Sequence, residues 1–213
     1  MDIGILGAGR LGGTLAQLLV EADHEVAIAN DSGVESMADL SETLGPQLRA
    51  VEPSRAIRFG DVVFLAIPFR KRDSLPDADQ FAEKIVVDAM NPYTENFHVI
   101  DLGDDTSSEL VATQLPDARL VKSFNTIHWE TLRDLGHPDL PESERLAVFL
   151  AGDDSDAKAR VADLVRDIGF GPVDVGGLVS GGELLEPGSA LYKREITVDE
   201  ARETVRTLRA RQG

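Results

Sequence analysis

A chain of 213 residues is long enough to bury a sizeable core, as one α/β domain or as a nucleotide-binding unit with a small appendage. Its formal charge of −17 and pI near 4.5 exclude nucleic acid and anionic membrane surfaces as partners, and its lack of cysteine excludes disulfides, thiolate metal sites and a cysteine nucleophile. No apolar run approaches a membrane span and the first strand starts at residue 2, leaving no room for a signal peptide, so a cytoplasmic protein is expected.

Residues 2–6 are a short apolar run ending in glycine, after which Leu11, Leu15, Leu18 and Leu19 recur at helical spacing. The chain therefore opens as strand, glycine turn and helix. A second apolar run at 25–29 completes a βαβ unit of about 30 residues, whose parallel strands require a right-handed crossover. The alternation continues with a helix over 33–45, a weak strand at 48–51, a helical turn at 53–58 and a strong strand at 61–67. Strands follow at 84–88 and 119–124, separated by a helix over 107–114 that the pair Thr106 and Glu109 caps. Beyond an acidic, proline-bearing loop (134–144) come a strand at 146–151, a helix over 154–168 and a short strand at 172–175. Residues 176–189 form an ordered, glycine-rich loop leading into a short helix, because Leu184, Leu185 and Leu191 interrupt the polarity. Thr197 and Glu200 cap a closing helix whose narrow apolar stripe is Ala201, Thr204, Val205 and Leu208. This pattern predicts a Rossmann-type, doubly wound α/β fold with a mostly parallel sheet of about eight strands. A single domain over 1–213 is expected, with its core in 1–130 and a sheet extension plus C-terminal helices in 131–213.

The loop Gly7-Ala8-Gly9-Arg10-Leu11-Gly12 follows a strand and opens a helix, the context in which a glycine fingerprint signals a dinucleotide. Gly7 permits the tight turn, Gly9 lets the backbone approach a pyrophosphate, and Gly12 allows close helix packing. The free N–H groups and positive end of the helix attract phosphates. Asp31 stands 19 positions after Gly12, where a carboxylate meets the adenosine ribose hydroxyls. Asn30 and Ser32 flank it, and Ser32 with Glu35 is itself a capping box, so Asp31 has helix capping as its alternative role. Ligands in open α/β sheets sit beyond the carboxyl ends of the strands. That brings in Ile67 and Pro68, Asn91 and Pro92, and Asn125, Thr126 and His128. The prolines would stiffen loops that lie flat against a ring, and Asn91 and Asn125 could hydrogen-bond a carboxamide or the substrate. Asn125, Thr126 and His128 are the candidates for positioning the reacting rings, with a helix-start role as the plain alternative for His128. Lys122 lies within a strand and supports the site rather than taking a proton. His24 reads as a turn residue. His98 and His137 have no partner at ligand spacing, so no metal site is expected.

The acidity is Asp-rich, with 22 Asp to 16 Glu, and only five of the 21 basic residues are Lys. Salt-adapted cytoplasmic proteins have such a surface; a GC-rich genome that favours Arg is the alternative.

At these motifs the chain resembles the NADP oxidoreductases that depend on the deazaflavin coenzyme F-420, together with the related nucleotide domain of the STEAP metalloreductases. The likeness spans roughly residues 2–192. It is carried by the glycine loop, by Leu65-Ala66-Ile67-Pro68, by Val87-Asp88-Ala89-Met90-Asn91-Pro92, by Val121-Lys122-Ser123-Phe124-Asn125-Thr126-Ile127, and by Gly152-Asp153-Asp154. The resemblance implies NADP as cofactor and places the run 121–127 beside the reacting rings. The chain departs from the family in four places. The deazaflavin enzymes can carry a histidine where Asn125 stands; relatives often have Ser-Arg, suited to a 2′-phosphate, where this chain has Asp31-Ser32; their usual Ala-Arg pair is replaced by Ser180-Gly181-Gly182-Glu183; and residues 193–213 have no counterpart. Asp31 favours NAD(H), whereas Arg10 offers a mobile cation for a 2′-phosphate.

The functional expectation is hydride transfer between NAD(P)H and a second redox cofactor, deazaflavin F-420 or flavin, or a small carbonyl substrate, in a homodimer. Orientation and exclusion of water would carry most of the catalysis. Two rivals are a dehydrogenase of the β-hydroxyacid or pyrroline-carboxylate type and a regulatory module that binds NAD(P)H without turnover.

Overall fold

A computed structural model describes residues 1–212. Its centre is one eight-stranded sheet in the order β3-β2-β1-β4-β5-β6-β7-β8. The strands are β1 (Asp2–Leu6), β2 (Glu25–Ala29), β3 (Leu48–Ala50), β4 (Val62–Leu65), β5 (Ile85–Asp88), β6 (Arg119–Ser123), β7 (Ala147–Ala151) and β8 (Gly171–Gly176). Every neighbouring pair is parallel except β6 and β7, which are antiparallel, with Lys122 opposite Ala151. The mostly parallel, doubly wound sheet expected from the sequence is therefore present.

Strands of a parallel sheet are covered on both faces and so read as continuous apolar runs. In β4, Val62 and Phe64 enter one core with Ile3, Ile5, Leu15 and Leu19, while Val63 and Leu65 enter another with Leu6, Ile57, Phe81 and Val111. The first core packs under helices α1 (Arg10–Glu21) and α6 (Ser155–Asp167), and the second under α3 (Pro53–Phe59) and α4 (Ser107–Gln114). A third cluster, around Phe149, Val175, Leu185 and Leu191, takes in Val198, Ala201 and Val205 of the last helix, α8 (Val198–Gln212). Two of the four stripe residues expected there, Ala201 and Val205, are buried, and Thr204 instead donates its hydroxyl to Glu200 O at 2.8 Å. Each fully buried aliphatic side chain contributes about 1.5–3 kcal/mol, so α8 docks on β8 mainly through Val198, Ala201 and Val205.

Both capping boxes at Thr106 and Thr197 form. Thr106 N–H donates to Glu109 Oε2 at 2.8 Å, and Thr197 N–H donates to Glu200 Oε2 at 2.9 Å. The expected helix over 33–45 is broken into a 3₁₀ turn, Val34–Met37, and α2 (Ala38–Leu44). Gly33 at φ +84 turns the chain so that the first turn starts one residue late, and the expected Ser32–Glu35 capping box is not made. The remaining helices are α5 (Trp129–Asp134), which lies against α1, and α7 (Leu178–Gly182). Among the described residues no helix is long and apolar enough to cross a membrane.

Candidate dinucleotide and ring-binding cleft

The strand order reverses at β1, whose neighbours β2 and β4 are reached by chain running in opposite directions across the sheet. Open α/β sheets bind ligands in the crevice at such a switch point. Two cavities, of about 310 and 530 Å³, lie there and share Gly9, Ala66, Ile67 and Pro68.

The glycine loop separates what packing needs from what it does not. A Cβ on Gly7, which sits at φ +111, would meet Ala66 O at 2.4 Å, and one on Gly12 would meet Gly7 O at 1.8 Å. A Cβ on Gly9 would meet nothing within 4 Å. The fold thus demands the first and third glycines, whereas Gly9 faces open cleft at the start of α1. No side chain caps that helix and its first turn carries no acid, so its partial positive end is available to an anion. These features fit the pyrophosphate of a dinucleotide.

The smaller cavity is lined by Gly7, Ala8, Asn30, Asp31 and Lys71 among others. Asn30 organises the turn: its Oδ1 accepts from Ser32 N–H at 3.1 Å and its Nδ2 donates to Ser36 Oγ at 3.0 Å. Asp31 is left exposed and pairs with Lys71, from the 3₁₀ turn Phe69–Ser74 that follows β4. Hydrogen bonding and charge from Lys71 hold the Asp31 carboxyl below the usual carboxylate range. Ser32 does not reach the cavity; its hydroxyl lies 3.4 Å from Asp31 Oδ1. Arg10 turns away from Asp31, with its guanidinium 5.5 Å from the Trp129 ring, and lines the larger cavity instead.

In the larger cavity Asn91 and Asn125 form a reciprocal pair. Asn91 Nδ2 donates to Asn125 O at 2.9 Å, and Asn125 Nδ2 donates to Asn91 Oδ1 at 3.0 Å and to Leu185 O at 2.8 Å. Both amide hydrogens of Asn125 face acceptors, which fixes the orientation of its amide. Its Oδ1 is then a buried acceptor with no donor among the described residues, on a residue only 4% exposed. Such a group is costly unless a donor arrives, and a carboxamide N–H is one. Aromatic groups line the same cavity: Tyr93, Phe97, Trp129 and Tyr192. The two tyrosine hydroxyls are 3.0 Å apart, and burial together with that hydrogen bond pushes the Tyr192 hydroxyl up from its ordinary range.

Beneath this wall lies a buried polar knot. Lys122 and Asp88 are both fully buried, 3.0 Å apart, and Lys122 Nζ also donates to Met90 O at 2.6 Å and Ser107 Oγ at 3.0 Å. Asp88 further accepts from Met90 N–H at 3.0 Å and Ser108 Oγ at 2.6 Å, and Ser107 donates to Glu186 Oε1 at 2.6 Å. The knot ties the ends of β5 and β6 to α4 and so fixes the loop that carries Asn91. Phe124, buried with φ +63, turns the chain sharply after β6 and packs edge-on against Phe64, with ring centroids 5.6 Å apart. Strained backbone of this kind persists only where its surroundings impose it.

The structure brings Ile67, Pro68, Asn91, Asn125 and His128 to the cavity wall. His128 is exposed and its Nδ1 lies 3.2 Å from Glu130. Thr126 is buried to one side, lining a separate cavity of about 240 Å³ while its carbonyl accepts from Lys193 N–H at 3.0 Å. Asp153 and Asp154 act away from the cleft: Asp153 Oδ1 accepts from Leu178 N–H at 3.0 Å, and Asp154 caps α6 while holding Arg119 through two bonds, at 2.6 and 3.0 Å. Sequence reasoning missed Lys71 and Tyr192, whereas Tyr93 lies in the segment after β5 that the sequence points to. The run Arg70-Lys71-Arg72 in a lysine-poor acidic chain was a legible signal; the return of Tyr192 to β5 and β6 had none.

Residues 2–92 match the family model described as NADP oxidoreductase coenzyme F420-dependent. Over 184 residues the chain is 32% identical to the rat metalloreductase STEAP3, covering 85% of this chain and 35% of that protein. It thus spans about a third of the length of the curated relatives it matches. Among solved structures it is similar to the hypothetical protein SMa0349 of Sinorhizobium meliloti, at 33% identity and a TM-score of 0.81, covering 92% of this chain and 95% of that one. It is also similar to a protein of Arthrobacter sp. FB24 assigned as an F420-dependent NADP-reductase, at 25% identity and a TM-score of 0.72, covering 84% and 86%.

Proposed function

We propose, from the match of residues 2–92 to the coenzyme F420-dependent NADP oxidoreductase family model and the likeness to the Arthrobacter protein, that the chain is an oxidoreductase of this family that binds a nicotinamide dinucleotide across the cleft and serves hydride transfer between it and a second planar redox ring. The observation that carries this reading is Gly9, a residue the packing does not require to be glycine, at the uncapped start of α1 and midway between two connected cavities.

When bound, a reduced nicotinamide supplies a hydride to an electron-poor ring atom of the acceptor. The protein's part is binding and orientation. The N–H groups at the start of α1 take the pyrophosphate, and Asp31 accepts from ribose hydroxyls, the arrangement that suits NAD(H). Asn125 Oδ1 accepts from the carboxamide, holding the nicotinamide ring in one orientation against Pro68, whereas Pro92, expected there from the sequence, is buried behind the cavity wall. Tyr93, Phe97, Trp129 and Tyr192 offer faces for a deazaflavin or flavin ring and keep water out of the space between the rings. Transfer between stacked rings gains its rate from proximity and alignment, which matches a site where Asn125 has an unused acceptor beside aromatic faces.

Rapid mixing of the protein and NADH or NADPH with deazaflavin, flavin and a panel of carbonyl compounds tests this. Oxidation of the nicotinamide is expected with a ring acceptor. Turnover with carbonyls alone would favour the dehydrogenase reading, and tight binding without turnover of any acceptor would favour a regulatory module.

A further inference from the structure

Three consecutive basic residues, Arg70, Lys71 and Arg72, sit on the 3₁₀ turn after β4 in a chain whose net charge is −17. They do not share one role. Arg72 folds back over Phe69, 4.5 Å from its ring, and beside Asp73, while Arg70 lines the larger cavity. Lys71 alone reaches across the smaller cavity to Asp31. Its backbone is anchored, since Lys71 N–H donates to Pro68 O at 2.8 Å and Ser74 Oγ donates to Lys71 O at 2.7 Å. The ammonium is therefore delivered to the ribose end of the cleft by a fixed turn.

This changes the electrostatics at the ribose. A lone Asp31 would repel a 2′-phosphate, which carries a charge of about −2 at neutral pH. Beside Lys71 the carboxylate is already compensated. The pair is solvent-exposed, with side-chain exposures of 47% for Lys71 and 65% for Asp31, and exposed pairs are held weakly, so a more highly charged anion can take over the ammonium. Arg10, the cation that the sequence offers for this task, instead faces Trp129 in the other cavity.

We propose that Lys71 is the receptor for a 2′-phosphate on the adenosine ribose, so that one cleft accepts NADP(H) through Lys71 and NAD(H) through Asp31. The inference rests on the dinucleotide reading of the cleft and adds to it the residue that admits the phosphorylated form. It also accounts for how the chain can lack the Ser-Arg pair after β2 and still take an NADP-type cofactor: the positive charge comes from the loop after β4.

Calorimetric titration with NADPH, NADH, adenosine 2′,5′-bisphosphate and adenosine 5′-monophosphate separates the possibilities without any turnover. In wild type both dinucleotides bind. Lys71→Ala weakens NADPH and the bisphosphate about tenfold, the effect of one charge-assisted contact, and leaves NADH and the monophosphate within about twofold. Lys71→Arg restores the bisphosphate, and Asp31→Asn strengthens NADPH while weakening NADH. Equal losses for phosphorylated and unphosphorylated ligands in Lys71→Ala, or a loss of NADPH in Arg10→Ala but not in Lys71→Ala, would overturn the assignment of Lys71 while leaving the dinucleotide reading intact. Failure of both dinucleotides to bind wild type would overturn that reading and this inference with it.

Discussion

Replacing Lys122 by Met probes the polar knot under the cleft. The methionine keeps most of the stem volume and removes the ammonium, together with its contacts to Asp88, Met90 O and Ser107 Oγ. Asp88 keeps two donors, Met90 N–H and Ser108 Oγ, but no counter-ion, at a site with no solvent exposure. Removing one partner of a buried ion pair costs about 3–5 kcal/mol, against a total stability of about 5–15 kcal/mol. For a chain of this size, each kcal/mol shifts the melting temperature by about 2–4 °C, so a fall of roughly 6–20 °C is expected. Asp88→Asn in the same chain removes the orphaned charge while its amide still accepts from Met90 N–H. The double variant should therefore recover much of the loss, with a coupling energy in the upper part of the roughly 0.5–3 kcal/mol range seen for contacting residues. Calorimetric and guanidinium unfolding of the four proteins measures this. A fall of less than about 3 °C in Lys122→Met, or strictly additive effects, would refute the claim that the buried pair organises this end of the sheet.

Three further outcomes follow from single features. Gly9→Asp should abolish dinucleotide binding with circular dichroism unchanged, because its Cβ enters open cleft and its carboxylate opposes a pyrophosphate, whereas Gly12→Ala should destabilise the fold by driving a Cβ into Gly7 O; loss of folding in the first variant would show that Gly9 serves packing. His24 is buried between the amino terminus of Met1 (3.1 Å) and Asp167 (3.1 Å), so it is more than a turn residue. Burial, reinforced by the Met1 charge and opposed by Asp167 and Asp23, lowers its pKa from 6.5. Because the folded state binds the proton less readily than the unfolded chain, this contribution is complete above pH 6.5 and is lost as pH falls below it. Melting temperature should thus drop less between pH 7 and 5.5 in His24→Gln than in wild type, and parallel curves would contradict this. With a net charge of −17, lowering salt from about 1 M to about 0.1 M, where the Debye length grows from about 3 to about 10 Å, should lower the melting temperature; an unchanged value would favour genome composition as the origin of the acidity.

What the sequence makes legible is what is local. The glycine loop, the strands at β1, β2, β4, β5 and β6, and both capping boxes at Thr106 and Thr197 follow from periodicity and hydrogen-bonding chemistry over a few residues. Strand direction is not local in that sense. The chain leaves β6, forms the short α5 against α1 and then enters β7 antiparallel to β6, and nothing in the apolar run 146–151 records it. The Ser32–Glu35 motif failed because Gly33 at φ +84 delays the helix, a conformation that a capping pattern does not reveal. Contacts that join distant segments, such as Lys71 with Asp31 or Asn125 with Leu185 O, depend on where loops return, so Asn125 could be named but not its unused acceptor.

The most direct test of the cleft's assignment is a crystal structure of the protein soaked with NADPH or NADH. The pyrophosphate is expected over Gly9 and the first turn of α1, with the carboxamide N–H donating to Asn125 Oδ1. A dinucleotide bound elsewhere, or bound with Asn125 Oδ1 still unpartnered, would contradict it.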